Sequence, residues 1–221
     1  PYPDLKAMRR NQPISFVPEL GATLMTLRDD IFINEKLINV FSSDQPDGLM
    51  TRLMGTNMMR KDGEAHKKER QVTFKSFSPR TVQDVWKQSF VKATSNILDS
   101  LRDKNTADLV TEFAMPVSAE ALKVVTGLEN MNSAEMDRVS QGMIDGVANY
   151  SGNIEIENNC QNCTASIDYH IDDILPKLKN NPDNSLISVQ LEAGLSIDQL
   201  RANIKLAISG GQNEPRDAIA G

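Results

Sequence analysis

The last helical stretch of this chain carries its own interruption. From Ser196-Ile-Asp-Gln-Leu200 to Leu206-Ala-Ile-Ser-Gly-Gly-Gln-Asn-Glu-Pro-Arg-Asp-Ala-Ile-Ala-Gly221 the apolar spacing is helical, yet Gly210, Gly211 and Pro215 lie inside it. Each glycine costs about 1 kcal/mol relative to alanine in a helix interior, and the proline about 3. Pro215 has no N–H for the carbonyl of Gly211, so a helix over 197–220 must kink there. Two readings stay open. One is an ordinary kinked core helix. The other is a place where two residues without side chains let a large flat ligand approach the backbone, with the freed carbonyl and Glu214 holding water or a proton beside it.

A second segment bears on that choice. Lys61-Asp-Gly-Glu-Ala-His-Lys-Lys-Glu-Arg70 is followed by Phe74 and Phe77-Ser-Pro79. Asp62 is placed to cap a helix. His66 and Arg70 are four residues apart, so they project from one helix face about a turn from each other. Two such donors can clamp a carboxylate or phosphate, with arginine binding in a fork. A solvated basic face is the commoner explanation of such a pair taken alone.

In this order, the two segments resemble cytochrome P450. The Asp-Gly-x-x-His-x-x-x-Arg pattern and the following Phe-Ser-Pro look like the C-helix of bacterial P450s, and the Gly-Gly segment looks like the I-helix. The resemblance covers nearly the whole chain. It implies that His66 and Arg70 hold the propionates of a haem b. It implies that Gly210 and Gly211 let the I-helix lie close to haem and O2. Where the family's I-helix carries an acid and then an alcohol, this chain has Asn213 and Glu214, followed by Pro215. These two are the candidate catalytic residues, organising water and proton delivery; desolvation would raise the pKa of Glu214 and suit it to giving protons. A similar Gln-Glu-Pro run occurs in bacterial P450s that demethylate methoxy-aromatics. Ala207, Ile208, Met54 and Met58 are expected to shape an apolar substrate pocket. The family's later Glu-x-x-Arg motif and cysteine-ligand loop lie beyond Gly221; Glu135-Met-Asp-Arg138 matches the first by letter alone. The expectation is therefore a single domain over 1–221, the N-terminal half of a catalytic domain whose other half supplies the iron ligand.

The composition agrees with such a chain. Its 221 residues are 39% hydrophobic and include 10 methionines, which suit an adaptable apolar pocket. A net charge of −6 argues against a general nucleic-acid binder. No apolar run is long enough to span a membrane. The start, Pro-Tyr-Pro-Asp-Leu-Lys, has no apolar leader core, which favours the cytoplasm. Within this acidic chain, Arg60, Lys61, Lys67, Lys68, Arg70 and Lys75 form a basic cluster. It reads as a solvated face or, on the P450 resemblance, as the dock of an acidic ferredoxin or flavodoxin-type electron donor. Cys160 and Cys163 form one Cys-x-x-Cys on polar helix, without two further ligands at zinc spacing, and read as structural or surface thiols.

The element pattern is mainly α with a small β portion. Apolar runs at 14–17 and 23–27 read as a hairpin, 31–41 as a helix, and 108–112 as a short strand. The Met-rich 49–59 reads as irregular, in P450 terms the loop between helices B and C. Helices are predicted over 64–76, 80–102, 115–126, 134–148, 159–179 and 197–220, with a loop at 149–153. The implied activity is a haem-thiolate monooxygenase that inserts one oxygen of O2 into a small organic substrate. A peroxide-using relative and a haem-free helical binding module are the competing readings.

Overall fold

The computed structural model describes residues 1–221 and divides into two compact units, Pro1–Asp44 and Gln45–Gly221. In the first, α1 (Tyr2–Asn11) precedes an antiparallel hairpin of β1 (Ile14–Val17) and β2 (Ala22–Met25), followed by α2 (Arg28–Asn34). The hairpin pairs Ile14 with Met25 and Val17 with Ala22. Pro18–Leu20 form its 3-10 turn, closed by Gly21 at φ 59°, a left-handed conformation that glycine adopts at little cost. No residue of this unit is buried.

Two expectations fail here. The helix predicted over 31–41 ends at Asn34 and begins earlier, at Arg28, where Asp29 and Asp30 favour the positive end of the helix dipole. Leu37 and Ile38 remain 47% and 41% exposed, so their helical spacing gains no burial to stabilise further turns. Helix α1 is absent from the sequence reading; its apolar stripe, Tyr2, Leu5 and Met8, is short and buries no residue fully.

The second unit is helical throughout. It runs α3 (Leu49–Met54), a 3-10 turn (Met58–Arg60), α4 (Gly63–Phe77), the single turn α5 (Pro79–Thr81), a wide π turn (Val82–Trp86) and α6 (Lys87–Leu101). A second wide turn (Leu109–Ala114) leads into α7 (Met115–Thr126), α8 (Ser133–Val147), α9 (Ile154–Asn180), α10 (Leu186–Glu192), α11 (Ile197–Gly211) and α12 (Asn213–Ala220). Ser78 ends α4 and caps α5, accepting from the Thr81 N–H at 3.1 Å, so the Phe-Ser-Pro segment is a corner. The Trp86 indole donates to the Ser76 carbonyl at 2.8 Å and locks that corner.

The core lies where α8, α9 and α11 meet α3, α7 and α10. Met136 and Met143 of α8, Ile167 and Ile171 of α9, and Leu200, Ile204 and Ile208 of α11 are all fully buried. Helices α8 and α9 pack closely because Gly142 faces Cys163 and Gly146 faces Cys160; a Cβ at either glycine would collide with the facing sulfur. Both thiols are buried, as expected for structural cysteines.

Three more expectations need correction. Residues 108–112 are no strand: the Asp108 carboxylate accepts from the Thr111 N–H at 2.7 Å, and Glu112 accepts from the Asp108 N–H at 2.8 Å. These reciprocal caps start a helix despite the β-favouring Val110 and Thr111. The segment 49–59 is ordered as α3 and the 3-10 turn rather than irregular. Helix α9 begins at Ile154, five residues before the predicted start, because Asn153 accepts from the Glu155 N–H and caps it there.

Candidate functional site

The site grows from the turn between α3 and α4. Asn57 caps the Met58–Arg60 turn, accepting from the Met59 N–H at 3.0 Å. The Met58 backbone is held on both sides of its Cα. Its N–H donates to the Asn203 side-chain oxygen of α11 at 2.8 Å, and its carbonyl lies 2.9 Å from Nδ1 of His66 on α4. A carbonyl can only accept, so Nδ1 of His66 carries the proton. A second donor, Nε2–H, exists only in the doubly protonated ring.

Four residues on, Arg70 is exposed, and its guanidinium has no partner in the chain. The Arg60 Nε and the Asn57 Nδ2 are buried and likewise unpartnered. Buried donors without partners carry a desolvation cost of about 1–3 kcal/mol, so unsatisfied donors beside one turn make good ligands for an anion. Asp62 occupies the cap position of α4, as predicted.

The opposite face of α4 is clamped. Glu69, with 5% of its side chain exposed, accepts from Lys61, from Gln199 Nε2 at 2.8 Å and from Asn203 Nδ2 at 3.1 Å. Asn203 also donates to Gln190 of α10 at 3.1 Å. Sequence reasoning missed this polar hub. Its trace is Asn203 itself, an amide sitting between Leu200 and Ile204 on the apolar stripe of α11. The hub shrinks the basic cluster. Lys61 is committed to Glu69, Lys75 pairs with Glu192 at 2.9 Å and Lys67 with Glu64 at 3.4 Å, leaving Lys68 and Arg70 as the exposed charges without a partner in the chain.

At the far end of α11 the predicted kink is a break. Helix α11 stops at Gly211, Gln212 takes φ −99°, and α12 starts at Asn213. Pro215 thereby falls in a first turn, where a missing N–H costs little. The break is pinned: Ser118 donates to the Gln212 carbonyl at 2.7 Å, and Asp137 accepts from Gln212 Nε2 at 3.1 Å and from Arg216 at 3.0 Å.

The two glycines differ. A Cβ at Gly210 would meet nothing within 4 Å, so the backbone there opens outward. A Cβ at Gly211 would stand 2.9 Å from Leu122 Cδ1, so that glycine serves packing against α7. Asn213 and Glu214 also part company. Asn213 is buried against α8, its Nδ2 donating to Gln141 at 3.3 Å, and its Oδ1 lying 3.5 Å from the Ser140 hydroxyl. Glu214 is exposed, so the burial expected of it is not met within the chain. Met54 and Ile208 are core side chains, 1% and 0% exposed, while Ala207 and Met58 are partly buried. Glu135 and Arg138 form a forked pair within one turn of α8, at 2.7 and 2.6 Å, a local contact unrelated to the motif it matches by letter.

The donor set suits a haem. Arg70 and the ring of His66 offer charge-assisted bonds to carboxylates, and the open backbone at Gly210 leaves room for a flat ring. No protein-family model matches the chain. It is 24% identical over 198 residues to the candidate cytochrome P450 YjiB of Bacillus subtilis (strain 168), covering 87% of this chain and 48% of that protein. Among solved structures, CYP109E1 from Bacillus megaterium in complex with testosterone aligns with TM-score 0.76 and 18% identity, over 96% of this chain and 56% of that one. P450BioI, in complex with an acyl carrier protein ligated to hexadec-9Z-enoic acid, aligns with TM-score 0.77 and 15% identity, over 96% and 57%. The chain thus spans about half the length of the curated relative and just over half of each solved structure.

Proposed function

Because this chain carries the fold of the N-terminal portion of a cytochrome P450, we propose that it is the propionate-holding and distal-helix part of a haem monooxygenase. The observation that carries the reading is the pairing of His66 with an unpartnered Arg70 on one face of α4, together with the open backbone at Gly210. Both units, Pro1–Asp44 and Gln45–Gly221, then belong to one catalytic domain. The haem, once bound, would supply activation of O2.

The residues of this chain divide the remaining work. His66 and Arg70 would hold the two haem propionates. Gly210 keeps the α11 backbone free of side-chain bulk. Glu214, exposed in this chain, would relay protons through water. Asn213, tied to Gln141 and Ser140, fixes the start of α12 and so the direction of Glu214. Ala207 and Met58 border the apolar substrate space, with Met54 and Ile208 packed behind them.

The substrate is a small apolar organic molecule. A steroid in one structural neighbour and a carrier-borne fatty acid in another support that class, and the Asn213-Glu214-Pro215 run supports O-demethylation of a methoxy-aromatic. Electrons come from a ferredoxin or flavodoxin-type donor that docks on Lys67, Lys68 and Arg70. No helix is long and apolar enough to cross a membrane.

The test uses the full-length protein. A red protein whose reduced CO complex absorbs at the thiolate-haem position supports the reading, and a colourless one makes the chain part of a binding module. Haem occupancy should fall in Arg70→Ala and His66→Ala; unchanged occupancy in both removes the cofactor assignment of α4.

A further inference from the structure

We propose that Asn203 is a positioning residue for His66, acting through the backbone on either side of Met58. The inference rests on the reading of His66 as a propionate donor. Asn203 is 2% exposed and has every polar atom assigned: Oδ1 accepts from the Met58 N–H at 2.8 Å, and Nδ2 donates to Glu69 at 3.1 Å and to Gln190 at 3.1 Å. One amide therefore fixes three elements at once.

The consequence for His66 follows from the direction of the bonds. Asn203 pins the Met58 N–H, and Asn57 holds the N–H of the next peptide plane at Met59, at 3.0 Å; between them the Met58 carbonyl is presented to His66, which answers with Nδ1–H at 2.9 Å. That bond sets the ring plane and commits Nδ1, leaving Nε2 as the only nitrogen able to face a ligand. The same amide grips Glu69, which follows His66 by three residues and precedes Arg70 by one. It thus holds the rotation of α4 about its axis and, with it, the direction of both donors. A ligand-binding histidine is generally oriented by the partner of its other nitrogen, and here that partner is oriented in turn by α11. The helix that approaches the haem therefore also aims the side chains that anchor it.

The experiment is a double-mutant cycle in the full-length haem-loaded protein. It compares wild type, His66→Ala, Asn203→Ala and the double variant. The readout is the rate of haem transfer to excess apomyoglobin. His66→Ala should speed haem loss about tenfold or more, the worth of one charge-assisted bond. Asn203→Ala should speed it by less, and should add nothing once His66 is gone. The second readout is 15N-histidine NMR of the reduced CO form. In wild type the His66 Nδ1 proton should be present and protected from solvent exchange; in Asn203→Ala its exchange should quicken.

Full effects of both changes that simply multiply in the double variant overturn the role of Asn203 and leave the reading of His66 standing. No effect of His66→Ala overturns that reading and the inference with it. If Asn203→Ala does not fold, the wild-type spectrum still decides: an unprotonated or freely exchanging Nδ1 overturns the proposal, and a protected Nδ1 proton supports it.

Discussion

Gly211 and Leu122 stand so close that a single methyl at position 211 would come within 2.9 Å of the leucine Cδ1. Its neighbour Gly210 would meet nothing. The pair therefore makes a controlled comparison. Gly211→Ala should destabilise the fold by about 1–3 kcal/mol through overpacking. Gly210→Ala should leave stability equal or raise it by up to about 1 kcal/mol, because alanine is the better helix former. Urea unfolding of the two variants reads the difference. If Gly210 faces the haem, its alanine variant should also hold haem less well, an effect absent from the unfolding curve of the haem-free protein.

Glu214→Gln keeps the shape of the side chain and removes its ionisable proton. Coupled turnover should fall and more reducing equivalents should appear as peroxide. The expected loss lies near the low end of general acid catalysis, about 10²-fold. Peroxide-driven activity should suffer less, because peroxide brings its own protons. Unchanged rate and coupling would make Glu214 a structural residue.

Reduction by an acidic donor should slow as salt rises, since exposed charges are screened over about 8–10 Å. Charge reversal at Lys67 and Lys68 should raise the apparent KM for the donor and leave substrate binding alone. Charge reversal at Lys61 should instead unfold part of the protein, because it strands the buried Glu69 carboxylate. A salt-independent reduction rate counts against docking on this face.

The two cysteines should resist thiol reagents in the folded protein. Burial is the main cause that raises the Cys160 thiol from 9.0 to about 11, and burial also raises Cys163. A thiol raised on folding favours the protonated native state, so its contribution is complete below pH 9 and lost as pH climbs toward 11. Alkylation at pH 8 should therefore be slow until denaturant is added, and stability should decline between pH 9 and 11. Cys160→Ala should flatten that decline.

Helices α8 and α11 were legible because their starts are written in the chain. Asn132 and Ser196 announce α8 and α11 and accept N–H bonds at 2.8 and 3.3 Å. The order of the two motif segments was legible as well, and the fold followed from it. What the sequence hid is tertiary. Nothing local distinguishes Gly210 from Gly211, or predicts that adjacent Asn213 and Glu214 face a helix and solvent respectively. Glu69 reads as one more charge on a polar helix until Lys61, Gln199 and Asn203 converge on it from elsewhere in the chain. Residues 108–112 misled for a related reason, since side-chain caps outweigh intrinsic strand preference.

The seam between α8 and α9 ties distant positions together by volume. Beside Cys163 position 142 has room only for glycine, and beside Cys160 so does position 146. Such a contact works as a two-part lock. A side chain can be gained at one position only if bulk is surrendered at its mate, as in Gly142→Ala with Cys163→Gly. Among descendants of this chain, substitutions at these four positions should therefore travel in pairs, and either half made alone should be selected against.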